Sequence, residues 1–192
     1  MNRREAIGRV ALIMGGTMIG AEFLLSGCKP GTGTSTVENI FDQDHTAFLD
    51  QVADTILPDT PSSPGAKAAK VGSFMAVMVR DCYEKPDQDI FLKGISQIDD
   101  AANKKFSKKF MDLDATQRTA LLTDLDKEQK DYSKTKKPAD PNHYFRMMKE
   151  LTLLGYFTSE VGCTKALRYV PVPGRFDGCI PYKKGDKAWA LS

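Results

Sequence analysis

The side chains able to do chemistry in this 192-residue chain are few, and they do not cluster. There are two histidines, His45 and His143, and neither belongs to a metal-ligand spacing. Each stands near an expected helix start, where capping or a helix surface explains it. The paired carboxylates Asp99-Asp100 and Asp124/Asp126 fall on the polar faces of expected helices, so solvation accounts for them. Cys82, Cys163 and Cys179 contain no Cys-x-x-Cys, which argues against structural zinc or an iron–sulfur cluster. No Gly-x-Gly-x-x-Gly follows a strand, so a nucleotide-binding fold is not encoded here. The residues expected to be catalytic, cofactor-binding or metal-ligating are therefore none.

The one cysteine in a reactive context is Cys28, after Leu25-Ser26-Gly27. This tetrapeptide resembles a lipobox, in which the chain is cut before the cysteine and the thiol is acylated. Upstream, Arg3-Arg4 precede a weakly apolar run from Val10 to Leu25, the pattern of a twin-arginine export signal used for cargo that folds before it leaves the cytoplasm. A membrane-spanning helix needs about 20 predominantly apolar residues. This run is shorter, carries Glu22 and is diluted by Gly15, Gly16 and Gly20. Residues 1–27 are read as a lipoprotein signal peptide. The mature protein is then expected on the periplasmic side of the envelope, lipid-anchored. Lys29 after the anchor does not choose between inner and outer membrane.

Three of the 27 basic and two of the 25 acidic residues lie in the signal, which leaves 24 against 23, a formal +1. Near-neutral charge argues against nucleic acid as a partner. The pairs Lys104-Lys105 and Lys108-Lys109 read as a solvated helix end. Lys29 to Thr36 is rich in Gly, Thr and Pro, too polar to order itself. Residues 28–40 are read as a flexible tether, about 15–20 Å in r.m.s. span.

Residues 41–192 must then supply the domain. Apolar residues recur at helical spacing through Asp44–Leu57, with Asp42 or Asp44 able to cap the start. Pro58, Pro61 and Pro64-Gly65 force a loop. A second helix is expected over Ala66–Cys82 and a third from Pro86, with Ile90, Phe91, Ile95 and Ile98 inward. A fourth covers 115–131 through Leu121, Leu122 and Leu125. A fifth, capped by Asn142, turns Tyr144, Met147, Met148, Leu151 and Leu154 inward, and Gly155 ends or bends it. From Arg168 the alternating prolines forbid helix. The fold class expected is all-α: an irregular bundle of about five helices with a Pro-rich extended C-terminal arm.

An oxidising compartment permits a disulfide, and three thiols allow three pairings, each leaving one over. Cys163–Cys179 would close a short loop. Cys82–Cys179 would pin the arm to the second helix by a loop of about 100 residues, for which chain entropy suggests about 4–5 kcal/mol. Three reduced thiols are the remaining alternative.

The segment Glu150-Leu-Thr-Leu-Leu-Gly-Tyr-Phe-Thr-Ser-Glu-Val-Gly162, followed by Arg168-Tyr-Val-Pro-Val-Pro-Gly-Arg-Phe-Asp-Gly-Cys-Ile-Pro181, resembles the gluconate 2-dehydrogenase subunit 3 family. Val52-Ala-Asp-Thr-Ile-Leu-Pro58 and Val79-Arg-Asp-Cys-Tyr83 extend the resemblance, which runs over about residues 42–191. It implies a non-catalytic accessory subunit of an envelope FAD-dependent dehydrogenase for sugars or sugar acids. FAD would sit in a large partner subunit of the glucose–methanol–choline type, and haem c in a cytochrome c subunit. The small subunit would carry the export signal and escort the folded flavoprotein. Thr60 to Ala66 contains an insertion relative to the family's Thr-Pro-Gly-Ala, and Cys163 stands where the family tends to have a small residue. The resemblance favours a Cys82–Cys179 bridge with Cys163 buried and free. Tyr156, Phe157, Arg168, Tyr169 and Arg175 are the candidate contacts with the partner, being of the types enriched at interface hot spots. Tyr156 and Phe157 could equally complete the core, and Trp189 could cover an apolar gap. The competing reading is a structural envelope lipoprotein that anchors another complex.

Overall fold

A computed structural model describes residues 41–172, 174–175 and 178–190. The expected signal peptide and the whole of the tether, with Arg3, Arg4 and Cys28, lie outside the described residues. What is described is all-α: five α-helices, short 3-10 and π turns, and no strand among the described residues. None of these helices is long and apolar enough to cross a membrane.

Helix α1, Gln43–Ile56, is capped by Asp42, whose carboxylate accepts from the His45 N–H at 2.8 Å. Pro58 follows its end. The single helix expected over Ala66–Cys82 is instead a 3-10 turn, Ala66–Ala69, and helix α2, Val71–Cys82. Lys70 separates them with φ 52°, a left-handed conformation that no helix continues through. The break lets α2 start against α1, where the Gly72 N–H reaches the Asp50 carboxylate at 2.7 Å.

Helix α3, Lys85–Phe106, carries Pro86 in its first turn. Its buried Gln88 amide donates to the carbonyls of Val79, Arg80 and Tyr83 at 3.0–3.1 Å. The open carbonyls at the end of α2 are thus satisfied by a side chain of the next helix. Ser107, φ 55°, closes α3. The Phe110 N–H then bonds to Asp99, giving that carboxylate a structural role, and seats the Phe110 ring in the core. Helix α4, Ala115–Thr135, opens with a reciprocal capping box of Asp114 and Gln117.

Helix α5, Tyr144–Phe157, is the hub, since it packs on all four other helices. It buries Tyr144, Phe145, Met147, Met148, Leu151, Thr152, Gly155 and Tyr156, which at about 100° per residue cover one half of its circumference. Leu154, expected to face inward, is exposed. Gly155 does not end the helix, which runs on to Phe157. It is where the Phe74 ring of α2 packs, and a Cβ there would meet Phe74 Cδ1 at 2.5 Å. Between α4 and α5, Asp126 receives Lys130 at 2.7 Å and Lys149 at 2.6 Å. Burial raises its carboxyl, but hydrogen bonds from Lys130, Lys149 and Gln129 outweigh this and bring it down to about 2.

Candidate functional site: the clasped C-terminal arm

Of the residues singled out from the sequence, Tyr156 and Phe157 stand side by side where α5 runs out. Tyr156, a candidate contact, is only 3% exposed. Its hydroxyl donates to the Pro64 carbonyl at 2.5 Å. With that proton committed, it accepts from the Ser63 hydroxyl at 2.6 Å. The ring thus latches the Pro-rich 58–65 loop to the hub helix. It belongs to the core and, with the loop on its polar end and almost none of its surface exposed, has no face left for a partner.

The chain then turns in place. The Ser159 hydroxyl donates to the Tyr156 carbonyl at 2.7 Å and accepts from the Gly162 N–H at 3.0 Å. A Cβ on Gly162 would fall 1.9 Å from the Tyr156 carbonyl oxygen, so only glycine fits. A single π turn, Gly162–Ala166, follows and closes with Leu167 N–H on the Gly162 carbonyl at 2.8 Å. Gly155, Tyr156, Ser159 and Gly162 are therefore architectural, and together they aim the exit of the arm.

At the exit Arg168 pairs with the far end of the arm. Its N–H donates to Ala188 O at 2.8 Å and its carbonyl accepts from Ala190 N–H at 3.0 Å, a parallel bridge opposite Trp189. The Arg168 guanidinium sits 3.8 Å from the centroid of the Trp189 ring. Lys187 reaches the Ser62 carbonyl at 3.4 Å and also bonds the Lys165 carbonyl. The arm is a loop clasped at its base, not a free tail. Arg168 thus acts first within the chain. Phe157, edge-on to Tyr156, and Tyr169 are exposed, and Arg175 is exposed within the loop.

The cysteines stand apart from one another. Cys82 and Cys179 are exposed free thiols, so the bridge implied by the resemblance is not formed. Cys82 ends α2 with its thiol 4.0 Å from Met78 Sδ. Cys179 is exposed in the arm, between the Arg168 and Lys187 contacts at its base. Cys163, expected to be buried, is partly exposed and donates to the Phe157 carbonyl at 3.2 Å.

His143 caps α5 in place of Asn142, its Nδ1 accepting from the Phe145 N–H at 3.2 Å. The ring stacks on Tyr144 at 4.4 Å and borders an open cleft of about 430 Å³ with Glu128 and Tyr132. Burial lowers its pKa, against the pull of Glu128, whose Oε1 is 3.7 Å from Nε2. Burial also pushes the Tyr144 phenol up to about 12. Among the described residues no group of three His, Cys, Asp or Glu side chains could hold a metal ion.

The sequence did not single out Ser63 or Lys187. Their partners are 93 and 125 positions away in the chain, and no local pattern announces contacts at that range.

The family model described as gluconate 2-dehydrogenase subunit 3 matches residues 43–174, from the first helix into the arm. No curated protein and no solved structure matches the chain.

Proposed function

Given that the chain belongs to the gluconate 2-dehydrogenase subunit 3 family, a subunit of dehydrogenase complexes, we propose that it is a non-catalytic accessory subunit that escorts and tethers a flavoprotein. The partner is an envelope FAD-dependent dehydrogenase of the glucose–methanol–choline type acting on a sugar or sugar acid, with electrons leaving through a cytochrome c subunit. The observation that carries the reading is the extent of the family match, 132 of 192 residues spanning the whole helical bundle. Arg3-Arg4 ahead of the Cys28 lipobox support the rest, because a signal suited to folded cargo is what a cofactor-loaded partner requires. Acylation at Cys28 would then hold the assembled complex at the periplasmic face of a membrane.

The test is a pull-down of the tagged, detergent-solubilised protein with a flavin absorbance scan and mass identification. A stoichiometric flavoprotein is expected, and it should vanish from the envelope fraction in Arg3→Lys/Arg4→Lys. A colourless protein that elutes alone, or a partner exported regardless of Arg3 and Arg4, overturns the escort reading.

A further inference from the structure

Exposed large apolar side chains are concentrated in one part of this molecule. Six of the eleven among the described residues lie between Arg168 and Ala190: Tyr169, Val170, Val172, Ile180, Tyr182 and Trp189. Val172 is 81% exposed and Tyr182 77%. Apolar side chains gathered so densely in a segment that buries none of them in the core mark a surface meant to be covered.

The segment is also unusually prepared for that. Arg168 and Trp189 close its base, and Lys187 ties the base to the 58–65 loop and the π turn. Between these anchors the backbone from Tyr169 to Val172 and from Gly178 to Tyr182 makes no hydrogen bond to other backbone among the described residues. Pro171 and Pro181 stiffen it without donors of their own. A loop held shut at its base has already lost part of the freedom that docking would take from it. Arg168, Arg175, Lys183, Lys184 and Lys187 outnumber Asp177 and Asp186, so the segment carries a formal +3 in a nearly neutral domain.

We infer that the arm from Arg168 to Ala190 is a preformed docking loop for the catalytic partner subunit, fitting an apolar surface edged with carboxylates. Val172 and Tyr182 enter that surface, and the Arg168–Trp189 pair is a positioning device that presents them. This rests on the subunit reading above and adds the surface and the chemistry of its recognition.

The test uses the full chain and the flavoprotein that it captures, with affinity read from titrated pull-downs. Val172→Asp/Tyr182→Asp should weaken capture by about 30-fold or more, as loss of a buried hot spot does. Their exposure means the thermal midpoint should not move. Trp189→Ala should weaken capture by roughly tenfold and Trp189→Phe should restore it, because an aromatic face is what holds the guanidinium. Salt should weaken the wild type further. If the wild type captures the flavoprotein and these variants hold it equally well, the docking loop is overturned while the subunit reading stands. If the variants keep the flavoprotein but lose binding to phosphatidylglycerol vesicles, the arm is a membrane face and the inference is again overturned. If the wild type captures no flavoprotein, the subunit reading fails first and this one with it.

Discussion

His143 shows how much one side chain can carry without chemistry. Its Nδ1 lone pair caps α5, and only the form unprotonated at that atom can accept the Phe145 N–H. Burial holds its pKa below the ordinary 6.5, with Glu128 opposing and Tyr132 and Tyr144 packed beside it. A histidine depressed in the folded state contributes stability that is fully present above 6.5 and is lost as pH falls through the lower, folded value. Urea unfolding should therefore lose stability through this residue as pH falls below 6.5. His143→Asn keeps a cap that does not titrate and should flatten that change. An unchanged pH slope in the variant would show that His143 is not its source.

The helices owe their positions to a few residues that interrupt them. Lys70 at positive φ breaks the expected second helix and turns α2 onto α1. Gln88 binds the end of α2 from within α3, and Asp99 seats Phe110. Gly155 shows the opposite: a residue that breaks many helices is tolerated in the last turn of α5 because the Phe74 ring fills the space its missing Cβ leaves. Gly155→Ala should cost about 1–3 kcal/mol despite alanine's better helix propensity, since the overpacked ring must move. A variant as stable as the wild type in denaturant would mean that Phe74 repacks freely. Coupling with Phe74→Leu in a double-mutant cycle would locate the strain.

In the molecule as a whole, the core closes before the arm begins. Among the described residues every buried core residue lies between Phe48 and Tyr156, and the last one packed against that core is Ala166. The burial that Trp189 gains is offset by ordering about twenty residues of loop. Truncation after Leu167 should leave the five-helix bundle with a cooperative transition and an unfolding free energy within about 1 kcal/mol of the full chain. A broad, non-cooperative transition by circular dichroism would show instead that the arm is part of the folded core.

The sequence by itself determined the five helices, because apolar spacing at 3.6 residues and prolines between runs act locally and need no distant partner. It also carried the family, through the run from Gly155 to Gly162 and the Pro-rich exit, confirmed over residues 43–174. It did not reveal why those residues stand together. The Tyr156 latch on Pro64, the Arg168–Trp189 clasp and the Lys187 anchor join positions 92, 21 and 125 residues apart. Such pairs form only once the bundle has brought their segments within hydrogen-bonding or ring-contact distance. For the same reason only the tertiary structure assigned Tyr156 to the core and left Tyr169, Val172 and Tyr182 at the surface.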